Sequence, residues 1–419
     1  MNKQGTPPTN AGGLLDKNTA IVVFIAFAAT YSLSALVRAI IATLSPVLSQ
    51  EFALQSRDLG LLAGGYFLGF AATQLPLGTW LDKHGPKRVI ACFLVLAVLG
   101  CLVFSVASSF TGLLLGRVLI GMGVSACLMA PLTGFRRWLA GPTLLRANSW
   151  MLMSGSLGML ASTLPVQWLL PLVGWRPLFW ALAALVLLAI AVIAWAVPAW
   201  QRDSEPADGQ ATARTSYAEV WRSRYFQKMS PLAFFNYGGL VAVQTLWAGP
   251  WMIKVCGYTP LEAATGLFYI NAVMLVTFWG WGLLNPRLAK AGWHTDRLMT
   301  WGVPVSLAVL AINIYSGPRT GWVGWAAFCM ASTVISLSQP AVGLSFKPAL
   351  AGRALSAFNL VIFAGVFAVQ WGIGLLVDAF AALGLAQIAS FQAAFSVFLC
   401  CCIAAYAYFL RVKVDNSNV

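Results

Sequence analysis

The chain has 419 residues, of which 59% are hydrophobic and only 9% charged, with a formal net charge of +14; mean hydropathy is +0.79. Soluble domains carry roughly a quarter charged residues, so this composition excludes an ordinary soluble enzyme or binding module and points to a protein dissolved in lipid. The surplus Lys and Arg sit in short segments between apolar runs, the pattern that sets orientation across a membrane; the lipid bilayer with its anionic headgroups is the expected counter-charge, and nucleic acid is not an expected partner.

Apolar runs of about 20 residues or more, enough to cross a bilayer, recur from end to end. In chain order they predict helices over 20–46, 59–81, 88–108, 111–133, 147–172 and 177–198, then over 230–254, 262–285, 297–316, 321–346, 353–380 and 388–410. The longest polar stretch between spans falls midway. The expected fold is an all-α polytopic membrane protein, with twelve transmembrane helices in two pseudo-symmetric six-helix bundles. Its parts are a tail over 1–19, an N-terminal bundle over 20–198, a linker over 199–229, a C-terminal bundle over 230–410 and a tail over 411–419. Within the linker, Tyr217 to Phe226 has the make-up of a short amphipathic helix on the membrane face.

Basic residues fix the orientation. With both termini cytoplasmic, the inner segments collect most of the Lys and Arg, while the outer face keeps Arg57, Arg176, Lys254 and Arg319. The expected location is a bacterial inner membrane. The first apolar run is too long for a signal-peptide core and lacks a small-residue cleavage site, so it is expected to stay as the first span. The eight cysteines show neither zinc nor redox spacing and read as free thiols. With no phosphate loop, metal-ligand cluster or nucleophile beside a base, neither an enzyme nor a cofactor is expected.

Between the second and third spans stands Gly78-Thr79-Trp80-Leu81-Asp82-Lys83-His84-Gly85-Pro86-Lys87-Arg88. This resembles the loop motif of the major facilitator superfamily, G-x-L-x-D-(R/K)-x-G-x-(R/K)-(R/K), with Trp80 for the leucine and Pro86 at an often basic position. Glycines permit a tight reversal, and a carboxylate at the membrane edge can face basic side chains or a helix N-terminus. The resemblance implies the twelve-helix fold, alternating access, and a latch in which Asp82 meets the start of the eleventh helix, near Arg353 to Ser356, with Arg136 or Arg137 as partner. Gly78, Asp82, Lys83, Gly85, Lys87, Arg88, Arg136 and Arg137 make up this expected gating set.

A second match, Arg117-Val118-Leu119-Ile120-Gly121-Met122-Gly123, is similar to the family's R-x-x-x-G-x-G segment in the fourth helix. The fifth helix lacks the Gly-Pro pair of drug:proton antiporters, reading Gly155-Ser156-Leu157-Gly158 onward to Pro165. That departure weighs against drug export.

Two-half transporters bind solute near the midplane, so intramembrane polar groups are the candidates. Arg38 and Arg117 are buried cations suited to a carboxylate, sulfonate or phosphate. Tyr31, Gln74, Asn236, Tyr237, Gln244, Asn271, Gln339 and Asn359 can supply hydrogen bonds, and Trp247 an apolar wall. The bland alternative has the arginines bonded to backbone carbonyls, the amides joining helices and the tryptophan facing lipid. No carboxylate is evident at mid-membrane; Asp378 lies near the outer end of the eleventh helix. The expected protein is a monomer that takes up a small organic anion, with proton or counter-anion coupling left open. Export of an amphipathic metabolite or drug, and a non-transporting solute receptor, are the competing readings.

Overall fold

The computed structural model describes residues 14–200 and 217–412. The two tails and the middle of the expected linker thus fall largely outside the described residues. Every regular element described is helical.

The chain enters helix α1 (Lys17–Phe52) at Asp16, whose carboxylate accepts from the amides of Asn18 and Thr19 and so serves two otherwise orphan donors. α2 (Ser56–Ala72) breaks at Thr73 and continues as α3 (Gln74–Val106). That run turns at Gly85, where φ is 76°, a left-handed value that glycine adopts without steric cost. Trp200 packs where a Cβ on Gly85 would stand. Next come α4 (Phe110–Val124), α5 (Ala126–Trp138), α6 (Gly141–Ala161), α7 (Leu164–Val173) and α8 (Trp175–Ala196).

The second half opens with α9 (Tyr217–Arg222) and α10 (Arg224–Leu232). The expected helix over Tyr217 to Phe226 is therefore split at Ser223, whose hydroxyl caps α10 by accepting from the Phe226 amide. A π turn over Ala233–Tyr237, α11 (Gly238–Ala242), a second π turn over Val243–Trp247 and α12 (Ala248–Lys254) complete one path across the bundle. α13 (Pro260–Lys290), α14 (Thr295–Ser316), α15 (Gly321–Ser332), α16 (Ser338–Leu344), α17 (Pro348–Ala382) and α18 (Gln387–Arg411) follow.

Nine spans among the described residues are long and apolar enough to cross a membrane, or ten if α6 and α7, bent by 43°, form one. The expected twelve is thus not reached by length and hydropathy alone. The second expected span is missed because α2 has 17 residues before the break at Thr73. The seventh is missed because two π turns divide it into short pieces.

Close helix approach is bought with small residues, as in other membrane bundles. A Cβ on Gly121 of α4 would collide with the Tyr66 carbonyl of α2. Between the halves, Gly60 of α2 meets the Gln370 carbonyl of α17, and Gly374 of α17 meets the Ser56 carbonyl of α2.

Candidate functional site

A large cavity, about 2010 Å³, lies between the two halves. It runs from Tyr31 and Arg38 on α1, past Gln74 and Gly78 on α3, to Asp82, Arg136, Arg353 and Asp296 at one face of the molecule. At the other face the halves are in contact. Gly249 of α12 lies against α1, with a Cβ there 3.2 Å from the Ala42 carbonyl. Gly64 of α2 lies against α17, where a Cβ would stand 3.0 Å from the Phe367 ring. Asp378 on α17 completes this closure: its carboxylate accepts from the Ser56 amide (3.1 Å) and the Arg57 amide (2.8 Å) at the start of α2. A carboxylate there also meets the positive end of the helix dipole.

The two intramembrane arginines have different surroundings. Arg117 is wholly buried. Its Nη1 donates to the Val37 carbonyl at 2.7 Å and its Nη2 to the Arg38 carbonyl at 3.4 Å, while Tyr66 lies 5.1 Å beneath the guanidinium. It stands behind the cavity wall and holds α4 to α1, as the bland alternative had it. Arg38 reaches the cavity. Phe70 lies 5.9 Å from its guanidinium carbon, the phenols of Tyr66 and Tyr31 flank it, and its Nε has no acceptor among the described residues.

Of the other expected ligands, Tyr31, Gln74, Tyr237, Gln244, Asn271 and Gln339 line the cavity, together with Thr245. Three do not. Asn236 is buried and donates to the Cys402 carbonyl at 3.4 Å, joining its helix to α18. Trp247 is buried and donates to the Gln370 carbonyl at 3.0 Å. Asn359, also buried, accepts from Gln339 Nε2 at 2.5 Å and so supports a lining residue. The Asn236 amide and the Trp247 indole face helices because burying an unpartnered polar group is costly and a neighbouring backbone carbonyl is the nearest remedy; Asn359 finds its partner in the Gln339 side chain.

At the open face, Gly78, Asp82 and Arg136 line the cavity with Arg353 and Ser356. Arg353 and Arg136 are the cations that act on Asp82, and the Cβ position of Gly78 lies 3.6 Å from Ser356 Oγ. Arg137 stacks on Trp200, 4.8 Å from its ring centre. Lys83 and Arg88 are exposed, and Lys87 half-buried, outside the cavity. Tyr217 donates to the Leu75 carbonyl at 3.1 Å, and its burial pushes the phenol above its ordinary pKa, with the Arg353 guanidinium pulling the other way.

Two sets of contacts were not legible in the sequence. Gln370, itself an intramembrane amide evident in the sequence as a hydrogen-bonding group, donates to Thr245 Oγ1 at 2.9 Å and, through its carbonyl, holds Trp247. The other set belongs to Asp296, which accepts from Tyr225 at 2.8 Å and pairs with Lys228 at 2.6 Å at the open mouth. Neither had a sequence signal beyond residue type, because the partners stand 125 and about 70 positions apart in the chain.

The family model of the Major Facilitator Superfamily matches residues 24–369. The chain is a member of the major facilitator superfamily. The nitrate/nitrite transporter NrtP of Picosynechococcus is similar at 33% identity over 75 residues, 18% of this chain and 14% of that protein. A probable 4-methylmuconolactone transporter of Cupriavidus pinatubonensis is 24% identical over 68% of each chain. The hexuronate transporter of Escherichia coli is 25% identical over 55% of this chain and 56% of that one. The chain thus spans 14%, 68% and 56% of these relatives. Among solved structures, a bacterial homologue of the human lysosomal transporter Spinster, in an inward-facing and unoccupied conformation, superposes with a TM-score of 0.78 at 15% identity, over 96% of this chain and 100% of that one. At that identity the likeness speaks to the fold. This superfamily member is a multi-pass membrane protein.

Proposed function

We propose that this transporter takes up a small organic anion across a bacterial inner membrane by alternating access between its two halves, N-terminal (20–198) and C-terminal (230–410). The observation that carries the proposal is Arg38. It is an intramembrane guanidinium at the wall of the central cavity, with an unsatisfied Nε and no ion pair among the described residues. Such a group is expensive to keep in a membrane unless it does work on a solute or ion. A planar fork of N–H donors matches a carboxylate in two-point fashion. Two relatives named for carboxylate-bearing or lactone solutes support the same class.

The cavity opens on the face of Asp82, Arg136 and Arg353, and that face is cytoplasmic by the distribution of basic residues. The arrangement thus corresponds to an inward-open state, with the Asp378 contact made. Both termini are cytoplasmic on the same argument.

The purified transporter, titrated with carboxylates and with their carboxamides, tests the anion. Carboxylates are expected to raise the unfolding temperature and carboxamides to leave it unchanged, with the response lost in Arg38→Gln. Equal stabilisation by both, or a response that survives in Arg38→Gln, would rule the proposal out.

A further inference from the structure

The polar groups facing Arg38 are unequal in what they have left to offer. Asn271 Nδ2 donates to the Leu267 carbonyl at 2.9 Å. A backbone carbonyl can only accept, so this bond fixes which way the Asn271 amide points. Its Oδ1 then accepts from Gln244 Nε2 at 2.9 Å, which fixes Gln244 in turn. Gln244 therefore keeps its carbonyl oxygen, with both lone pairs, and one N–H. Gln74, from the other half, is set in the same manner: its Nε2 donates to the Phe70 carbonyl at 3.2 Å. Thr245 has no donor to spare and one lone pair left, since it donates to the Val241 carbonyl and accepts from Gln370.

These groups lie at matched depth. α1 begins on the open face, where the Leu15 amide bonds the Trp138 carbonyl at the end of α5, and the path from Arg224 to Lys254 begins there too, at the Tyr225–Asp296 contact. The two run side by side, with Gly249 against Ala42. Counting back along each helix at about 1.5 Å per residue brings Gln244 within a turn of Arg38. Phe70 ties Gln74 to the same place, because its ring lies by the Arg38 guanidinium and its carbonyl holds the Gln74 amide.

On the basis of the anion transport proposed above, we infer that the solute is a hydroxylated carboxylate, its carboxylate on Arg38 and its hydroxyls on the amide oxygens of Gln244 and Gln74. A guanidinium supplies donors only; the two amides keep two acceptor lone pairs and one donor each. A hydroxyl both donates and accepts, and so satisfies an amide that a bare inorganic oxyanion leaves with an unpaired carbonyl. A site built to accept from a hydroxyl discriminates strongly against the analogue that lacks it, because the buried acceptor goes unpaired.

Three probes separate the possibilities on the full chain in detergent: glucuronate, tetrahydropyran-2-carboxylate and nitrate. The first two share a ring and a carboxylate and differ in their hydroxyls. Glucuronate is expected to bind at least about tenfold more tightly than either of the others, the loss of one such hydrogen bond being worth roughly that factor. Gln244→Leu is expected to lower the glucuronate affinity several-fold toward that of tetrahydropyran-2-carboxylate and to lower the latter much less, so that the ratio of the two reports the lost hydroxyl contact and the second affinity an intact fold. If that variant fails to fold, Gln74→Leu carries the same test. Equal binding of the two ring carboxylates by the unaltered protein, nitrate binding as tight as glucuronate, or a preference that survives the substitution would overturn the inference while leaving anion transport standing. Failure of all three probes to bind would overturn both.

Discussion

Arg38 and Arg117 are of one residue type, and Arg117 bonds the backbone of Arg38 itself, yet they do different work. The guanidinium of Arg117 is turned onto two carbonyls of α1 and sealed from the cavity, whereas that of Arg38 faces it. Arg117 thus fixes where α1 holds Arg38, and on the proposed reading any effect on the solute passes through that contact. Lysine keeps the charge but loses the planar fork, so both positions are sensitive to Arg→Lys, to different degrees. Arg38→Lys is expected to lower affinity for a bound carboxylate by at least about tenfold, the cost of a charge-assisted pair, and Arg117→Lys by a smaller factor. Isothermal titration of the two variants checks the order; equal losses would place Arg117 in direct contact with the solute. Sequence alone named both arginines, because charge inside an apolar run stands out. It gave no means of telling them apart, since orientation depends on which way each helix is turned in the bundle.

Among the elements, α2 and α17 form the closed end. Gly60 and Gly374 let the two backbones touch, and Asp378 ties the first turn of α2 to the last turns of α17. An asparagine at 378 offers one accepting oxygen in place of two and no charge against the helix dipole. Asp378→Asn is expected to shift the balance toward opening of that end by on the order of tenfold, the worth of one hydrogen bond to a charged group. Distances between spin labels on the outer ends of the two halves would read this shift; an unchanged distribution would remove Asp378 from the closure. Asp378 was legible as an acid near a helix end. Its partners, 321 and 322 positions away, were not. The π turns over Ala233–Tyr237 and Val243–Trp247 were likewise illegible, because hydropathy follows side chains and carries no trace of a backbone bond that skips one more residue.

At the scale of the whole molecule, one end is closed and the other open, and the groups proposed to hold the solute lie where the cavity meets the closed end. The fold class was legible because bilayer thickness dictates span length and the loop motif at Gly78 to Arg88 stands between two spans. The cavity was half legible. Polar residues in apolar runs formed the candidate set, and six of the neutral ones reach the cavity while Asn236, Trp247 and Asn359 are spent on helix contacts. Everything then turns on Arg38, the one cation among the described residues that faces the cavity from mid-span. Uptake of radiolabelled glucuronate into proteoliposomes by the unaltered transporter, Arg38→Lys and Arg38→Ala tests this most directly. The unaltered protein is expected to fill the vesicles and both variants to fall at least about tenfold; uptake unchanged in both variants would contradict the role of Arg38 and the anion site built around it.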